Sequence, residues 1–452
     1  MAASSALGQA DGPALEGHRM TQAEILGGAL TLTEIREAGL RVFATPFNRH
    51  DGYGDGPVNP LDPTSPGGRP TLQNNGTFLR VNGLDAQTCM ECHSVGSNAS
   101  VPFKFAVGGV ASSSNNALFM PRNIDVDDEV GSGFAAYDGR YINPPFLFGS
   151  GGVELVGKEM TTDLQALRAF AQVNPDTDVP LVTKGVSFGI LRFDSTLNDF
   201  DTTRVEGIDG DLIVRPFGRK GEFPTVRAFD VEAMRFHFGM EPVEFAGSGT
   251  DPDGDGVVDE ILEGEISALH IFNTNLERPN VRDLDSEARL GAREFMNIGC
   301  AVCHVPSLTT NSRSLTYSFP EVHTDPTANV FMSVDLASSP AGFDVTQSGG
   351  LFVQLFSDLK RHDMGPALRE TFGSPLDGQF ITARLWGVAD TAPYLHDGRA
   401  TTLTDAILMH GGEAQAARDA FAALPSLERT RLITFLKRLR TPVKPADDIV
   451  DY

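Results

Sequence analysis

Apolar positions repeat with helical period from Thr33 to Phe43 and again from Ser286 to Phe295, and each stretch carries a Gly four residues before a Phe: Gly39 and Phe43, then Gly291 and Phe295. The two segments read as copies of one helix in a degenerate internal repeat. A third amphipathic helix is predicted over residues 425–439, where Leu432, Phe435, Leu436 and Leu439 fall on one side. Residues 180–225 break the helical period. There Val182, Val186, Phe188, Ile190 and Leu191, followed by Leu212, Ile213 and Val214, lie in short runs between turns and predict some strand. An insert rich in Gly, Pro, Asn and Asp, from Pro46 to Gln73, follows the first helix copy. The pattern predicts a mainly α fold with long loops and a small β insertion.

Each helix copy precedes the same pentapeptide. Cys89-Met90-Glu91-Cys92-His93 and Cys300-Ala301-Val302-Cys303-His304 together use all four cysteines of the chain. Two thiols at this spacing can add to the two vinyl groups of one haem, which brings the adjacent His under the iron as proximal ligand. Two covalently bound c-type haems are therefore expected. A zinc site would need further soft ligands, and a redox dithiol has no use for the neighbouring His. Set on the repeat, the motifs predict a disordered N-terminal tail over residues 1–23, an N-terminal haem domain with the β-containing insertion over 24–280, and a C-terminal haem domain over 281–452. Both haem domains are expected to be cytochrome c-like, the second closed by the helix at 425–439.

The chain has 452 residues and a formal net charge of −24, which argues against nucleic acid or an anionic membrane as partner. No apolar run approaches the length of a membrane span. Met1 to Pro13 has no apolar signal core, yet in bacteria haem is attached to this motif outside the cytoplasm. A periplasmic or secreted location is expected, with an export signal removed or lying outside this sequence.

The stretch from Thr391 to Ala414, Thr-Ala-Pro-Tyr-Leu-His-Asp-Gly-Arg at its start, resembles the signature of bacterial di-haem cytochrome c peroxidases and related di-haem oxidoreductases. That group includes the enzyme that matures methylamine dehydrogenase and, more distantly, the rubber oxygenases. His362-Asp-Met-Gly-Pro366 and Pro144-Pro-Phe-Leu-Phe-Gly149 are most similar to the di-haem oxidoreductase branch. The resemblance is specific from about Gly291 onward and patchier before it.

What the resemblance implies can be written residue by residue. His410 aligns with the distal ligand of the C-terminal haem, giving His304/His410 coordination, with Met409 and Met364 as remaining candidates. His396 falls where the family's His supports the haem pocket without ligating iron. No His lies between His93 and His237, so the N-terminal haem is expected to keep an open position, with His50 as the alternative residue to fold back and cap it. Glu154 matches the family's distal glutamate, the acid/base that assists O–O cleavage, and Glu159 is close by. Tyr137, in Tyr-Asp-Gly-Arg140, stands where the family has a Trp between the haems, and Trp386 is expected to pack near the second haem. A calcium ion is implied at Thr391, Pro393 and Asn123. Independently, Asp251-Pro-Asp253-Gly-Asp255-Gly-Val-Val-Asp259 has the alternating carboxylates and turn glycine of an EF-hand-type loop, with Leu262 in place of the terminal Glu and Glu263 or Glu265 as substitutes.

The expected activity is that of a peroxidase taking hydrogen peroxide at the N-terminal haem, with electrons from a small donor protein or an organic substrate. Two other readings stand beside it. One is a dioxygen-dependent oxygenase cleaving an apolar alkene, with Phe146 and Phe148 lining its pocket. The other is a non-catalytic di-haem electron carrier.

Overall fold

The helix expected over residues 33–43 runs over Leu32–Ala44, opened by a capping box in which Thr31 and Glu34 satisfy each other's backbone N–H groups. The computed structural model that shows this describes residues 12–54, 86–93, 118–125, 136–371, 373–443 and 446–450, with backbone alone for 118–125 and 136–142. Among the described residues there are ten α-helices and six sheets of two or three strands. Helix accounts for 34 % and strand for 15 %, so helix leads without being the majority that a mainly α fold implies.

The chain divides into two compact units that are interleaved in sequence. One draws on Met1–Glu91, Phe119–Arg140 and Asp230–Leu269; the other on Cys92–Leu118, Tyr141–Phe229 and His270–Tyr452. A single cut between residues 280 and 281 does not describe this, because residues 141–229 fold with the C-terminal motif.

In the first unit, Ile35, Leu40, Val42 and Phe43 of the Leu32–Ala44 helix are buried. The described part of the N-terminal tail is ordered against this unit, contrary to expectation. Ala14 and Leu15 donate their backbone N–H groups to the Asp51 carboxylate, each at 2.9 Å, Met20 is buried, and Arg19 pairs with the buried Glu265 carboxylate at 2.5 Å and 2.7 Å.

In the second unit the helices Ser286–Asn297 and Ser426–Leu436 cross closely. Gly291 sets the approach: a Cβ there would lie 1.9 Å from the Arg431 carbonyl oxygen. Around this crossing Phe295, Phe356 and Phe435 form a triangle of edge-on rings, with centroids 5.6 to 6.2 Å apart, and Leu432, Leu436 and Leu439 complete the core. The helix stops three residues short of its expected end because Leu439 leaves it to pair with Val281 in a two-stranded ladder. Gly291→Ala is expected to force the helices apart and cost about 1–3 kcal/mol, read as a lowered melting temperature.

The β insertion is a three-stranded antiparallel sheet of Val179–Thr183, Val186–Asp194 and Asp199–Asp201. Leu212, Ile213 and Val214 are buried but join no strand. Leu212 sits at φ +59° in a turn, and the Val214 N–H bonds the Thr161 hydroxyl instead of a neighbouring strand. No described helix is long and apolar enough to cross a membrane.

Candidate haem sites and a buried charge cluster

Cys300–Val302 forms a single 3₁₀ turn after the Ser286–Asn297 helix, and the His304 backbone N–H closes it on the Cys300 carbonyl at 3.0 Å. The His304 ring donates from Nδ1 to the Phe356 carbonyl at 3.1 Å. His410, just past the Leu403–Leu408 helix, donates from Nδ1 to the Ala406 carbonyl at 2.8 Å. A carbonyl can only accept, so each ring carries its proton on Nδ1 and keeps Nε2 as a lone-pair donor for a metal. The two ring centroids are 6.4 Å apart. Two imidazoles on opposite sides of one metal, with N–metal bonds of roughly 2.0–2.1 Å, place their centroids roughly 6 Å apart. Burial, then the neighbouring His410, pulls His304 down to about 4, and burial pulls His410 down as well, so both rings are neutral near pH 7. These residues fit a haem iron held from both sides.

One further residue organises this site. His362 lies between Asp358, at 2.9 Å from Nε2, and Glu413, at 2.7 Å from Nδ1. Although burial opposes the charge, its hydrogen bonds, first to Asp358 and then to Cys303 and Glu413, push its pKa up to about 11. The Asp358 N–H in turn donates to the Cys303 carbonyl at 2.9 Å, so one imidazolium ties the haem-attachment turn to the loop that carries His410. In the sequence His362 stood out only as part of a family-like stretch.

The N-terminal motif has the same local design. Cys89–Glu91 is a 3₁₀ turn, anchored by the Thr88 hydroxyl donating to the Phe43 carbonyl at 3.0 Å. The His93 ring has Nδ1 2.8 Å from the Pro145 carbonyl, which again directs Nε2 away as the metal-binding atom. Beyond Pro145, Phe146 and Phe148 stack at 5.7 Å, and Gly149 adopts φ +77° with Trp386 and Pro279 so close that a Cβ would meet each at 2.9 Å. Trp386 is buried here, beside Leu385 and Val388 of the core around Phe295.

Glu154 lies in the Ser150–Val173 helix and is fully buried. Its carboxylate receives the Lys158 ammonium at 2.7 Å, His270 Nε2 at 2.9 Å and the Val226 N–H at 2.9 Å. Burial alone would raise its pKa; His270 and Lys158 outweigh that and hold it at about 2. A carboxylate depressed in the folded state adds stability above its unfolded pKa and loses it as pH falls through the folded one. Acid titration is therefore expected to weaken the fold between about pH 4.5 and pH 2, and less so in Glu154→Gln, as read by melting temperature against pH. Glu159 serves elsewhere, bound to Lys184 and to the N–H groups of Asn311 and Ser312. The side chains of Tyr137 and Asn123 lie outside the described residues.

In the acidic loop, carboxylate oxygens of Asp251, Asp253 and Asp255 lie within 4.8 Å of one another. The Gly254 and Gly256 N–H groups hold Asp251 in place. Burial and then Asp255 push Asp253 up to about 7, and burial pushes Glu260 up to about 9. Asp259 turns away to accept the Gly249 N–H at 2.8 Å, so the converging set is three carboxylates where four were expected. At the Thr391 turn, the Pro393 carbonyl accepts from the Asn143 amide at 2.8 Å and the Leu395 carbonyl from the same amide at 2.9 Å, making Asn143 the asparagine seated on that turn.

No curated protein sequence matches the chain. Among solved structures, a MauG-like protein associated with microbial copper homeostasis is similar at 14 % identity and a TM-score of 0.31, covering 68 % of this chain and 90 % of that one. Hydrazine synthase of Kuenenia stuttgartiensis is similar at 17 % identity and a TM-score of 0.26, covering 47 % of this chain, which spans 61 % of the hydrazine synthase chain. Neither likeness is close enough to bear on function. The family described as "Di-haem oxidoreductase, putative peroxidase" matches residues 236–439, a span that holds Cys300, Cys303, His304, His362 and His410. Over that span, a little under half of its length, this chain is similar to the di-haem oxidoreductase family.

Proposed function

We propose that this oxidoreductase is a periplasmic peroxidase, with hydrogen peroxide reduced at the His93 haem and electrons delivered through the His304/His410 haem by a small donor protein or an organic substrate. The observation that carries the reading is the pair of neutral imidazoles at 6.4 Å, which leaves the C-terminal site no room for a substrate, set against the single motif histidine at the N-terminal one. When bound, the haems supply irons that change oxidation state and, at an open position, take up the oxidant. The overall reaction consumes two protons and two electrons per peroxide and yields two waters.

The chain's own residues orient and protonate. The Phe356, Ala406 and Pro145 carbonyls fix the three rings so that each presents Nε2. Glu154 Oε2 is the proposed proton acceptor. The Lys158 ammonium and the His270 Nε2–H, which donates to it at 2.9 Å, keep the Glu154 carboxylate ionised and able to take a proton. Tyr137 is proposed as a charge relay from its place in Tyr-Asp-Gly-Arg, and Trp386 as a second one from its buried position between Gly149 and the core beside His304. Steady-state peroxide consumption by the reduced holoprotein tests the reading; no consumption with any donor would sink it. Oxygen uptake with an unsaturated apolar substrate and no peroxide would instead favour the oxygenase reading, to which the Phe146/Phe148 stack is suited.

Calcium is proposed at the Asp251–Asp255 loop, where a cation would relieve three mutually repelling carboxylates. Millimolar Ca²⁺ is expected to raise the melting temperature by several degrees, and a chain with Asp251→Asn and Asp253→Asn should show no such rise. A second ion at Thr391 and Pro393, with Asn123, remains a proposal from the family resemblance.

A further inference from the structure

We propose that Glu154, His270, Glu321 and His323 form a binding site for a divalent first-row transition-metal ion, with Zn²⁺ the best match to the donor set. One ligand atom from each of Glu154, His270 and Glu321 falls within 4.8 Å of the other two. The four residues come from the Ser150–Val173 helix, the Glu263–Thr274 helix and the loop that follows the Ser314–Ser318 strand, so the fold brings them together from distant parts of the chain.

Two polar atoms here call for a partner. The Glu321 side chain is only 9 % exposed, and while its Oε2 accepts from the Thr225 hydroxyl at 2.6 Å, its Oε1 is buried with no hydrogen-bond donor among the described residues. His323 Nδ1, 3.9 Å from Glu321 Oε2, is likewise buried without a hydrogen bond. Leaving such atoms dry and unpaired is costly, and a cation bound by both removes the cost.

The surroundings suit an ion. Lys158 binds Glu154 Oε1 and the Thr316 carbonyl, each at 2.7 Å, which orients the carboxylate from behind and leaves Oε2 facing His270. Tyr317 packs edge-on against the His270 ring at 4.9 Å and fixes its plane. A small open pocket lined by Lys158, Thr225, Glu321 and His323 among others leaves room for about one water ligand. Two imidazoles with two carboxylates suit Zn²⁺ and its neighbours in the first transition row; Ca²⁺ and Mg²⁺ prefer oxygen alone. Zinc bonds of roughly 2.0–2.1 Å bring ligand atoms roughly 3.3 Å apart, so binding would draw Glu321 and His323 inward.

The site shares Glu154 with the peroxide reading, and an ion on Glu154 Oε2 would withdraw the proposed proton acceptor. The test is calorimetric titration of chelator-treated holoprotein with ZnCl₂, in millimolar Ca²⁺ to fill the acidic loop, with bound zinc counted by elemental analysis. One zinc per chain is expected, with affinity reduced about tenfold or more in Glu321→Gln and in His323→Ala. His323 is part-exposed, so its variant keeps the test alive if Glu321→Gln fails to fold. Equal zinc uptake by the parent chain and the His323 variant, or none by either, overturns the site. Zinc binding that leaves peroxide consumption unchanged supports the site and instead removes Glu154 from proton transfer.

Discussion

Replacing His410 by Ala is expected to turn the haem at Cys300–His304 from low-spin to high-spin, while the haem at Cys89–His93 keeps its spectrum. On the proposed His304/His410 coordination the change should be complete, and the ring removed is one held by its Nδ1 bond to the Ala406 carbonyl. Added imidazole should restore the low-spin spectrum, since it can reoccupy the space facing His304 Nε2. If the variant instead showed a sulfur-to-iron charge-transfer band, Met409 or Met364 would have taken the position. A parent-like spectrum would remove His410 from the ligand set.

Glu154→Gln is expected to slow the reaction with peroxide by about 10²–10⁴-fold with both haem spectra intact, the range for loss of a positioned acid/base. The substitution also leaves Lys158 buried without its anion, and breaking such a pair costs about 3–5 kcal/mol, so rates need to be read well below the variant's melting temperature. Glu159→Gln serves as the control. It lies on the same helix but binds Lys184 and the Asn311–Ser312 backbone, and its rate should match the parent. Equal rates for the two variants would remove Glu154 from the mechanism.

Structure set by local spacing could be read from the sequence. The two Cys-x-x-Cys-His motifs need only five consecutive residues, and the turns they form are as local as the motif. The Ser426–Leu436 helix was legible for a related reason, since its buried face repeats within three turns. His410 became a candidate through family resemblance, and what the structure adds is the Nδ1 bond to the Ala406 carbonyl, which leaves Nε2 as the nitrogen a metal could use.

Long-range placement could not be read. Arg19 and Glu265 are 246 residues apart, and no local pattern in the first twenty residues announces that their pairing orders the tail. Leu212, Ile213 and Val214 have strand-like composition, yet burial against Thr161 rather than ladder pairing accounts for their apolar character. The Glu154 cluster draws Lys158 from the same helix turn, but His270 from 116 residues away and Glu321 from farther still. The interleaving of the two units rests on contacts between segments far apart in the chain, which no local pattern announces. His362 carries no motif of its own; its role appears only once Asp358 and Glu413 are seen on either side of it.

Everything proposed for catalysis depends on the two irons being differently coordinated, and an electron paramagnetic resonance spectrum of the oxidised holoprotein, taken before and after adding cyanide, reads this directly. One low-spin and one high-spin signal are expected, with cyanide shifting only the high-spin one. Two low-spin signals, both indifferent to cyanide, would contradict the proposal and leave a protein that only carries electrons.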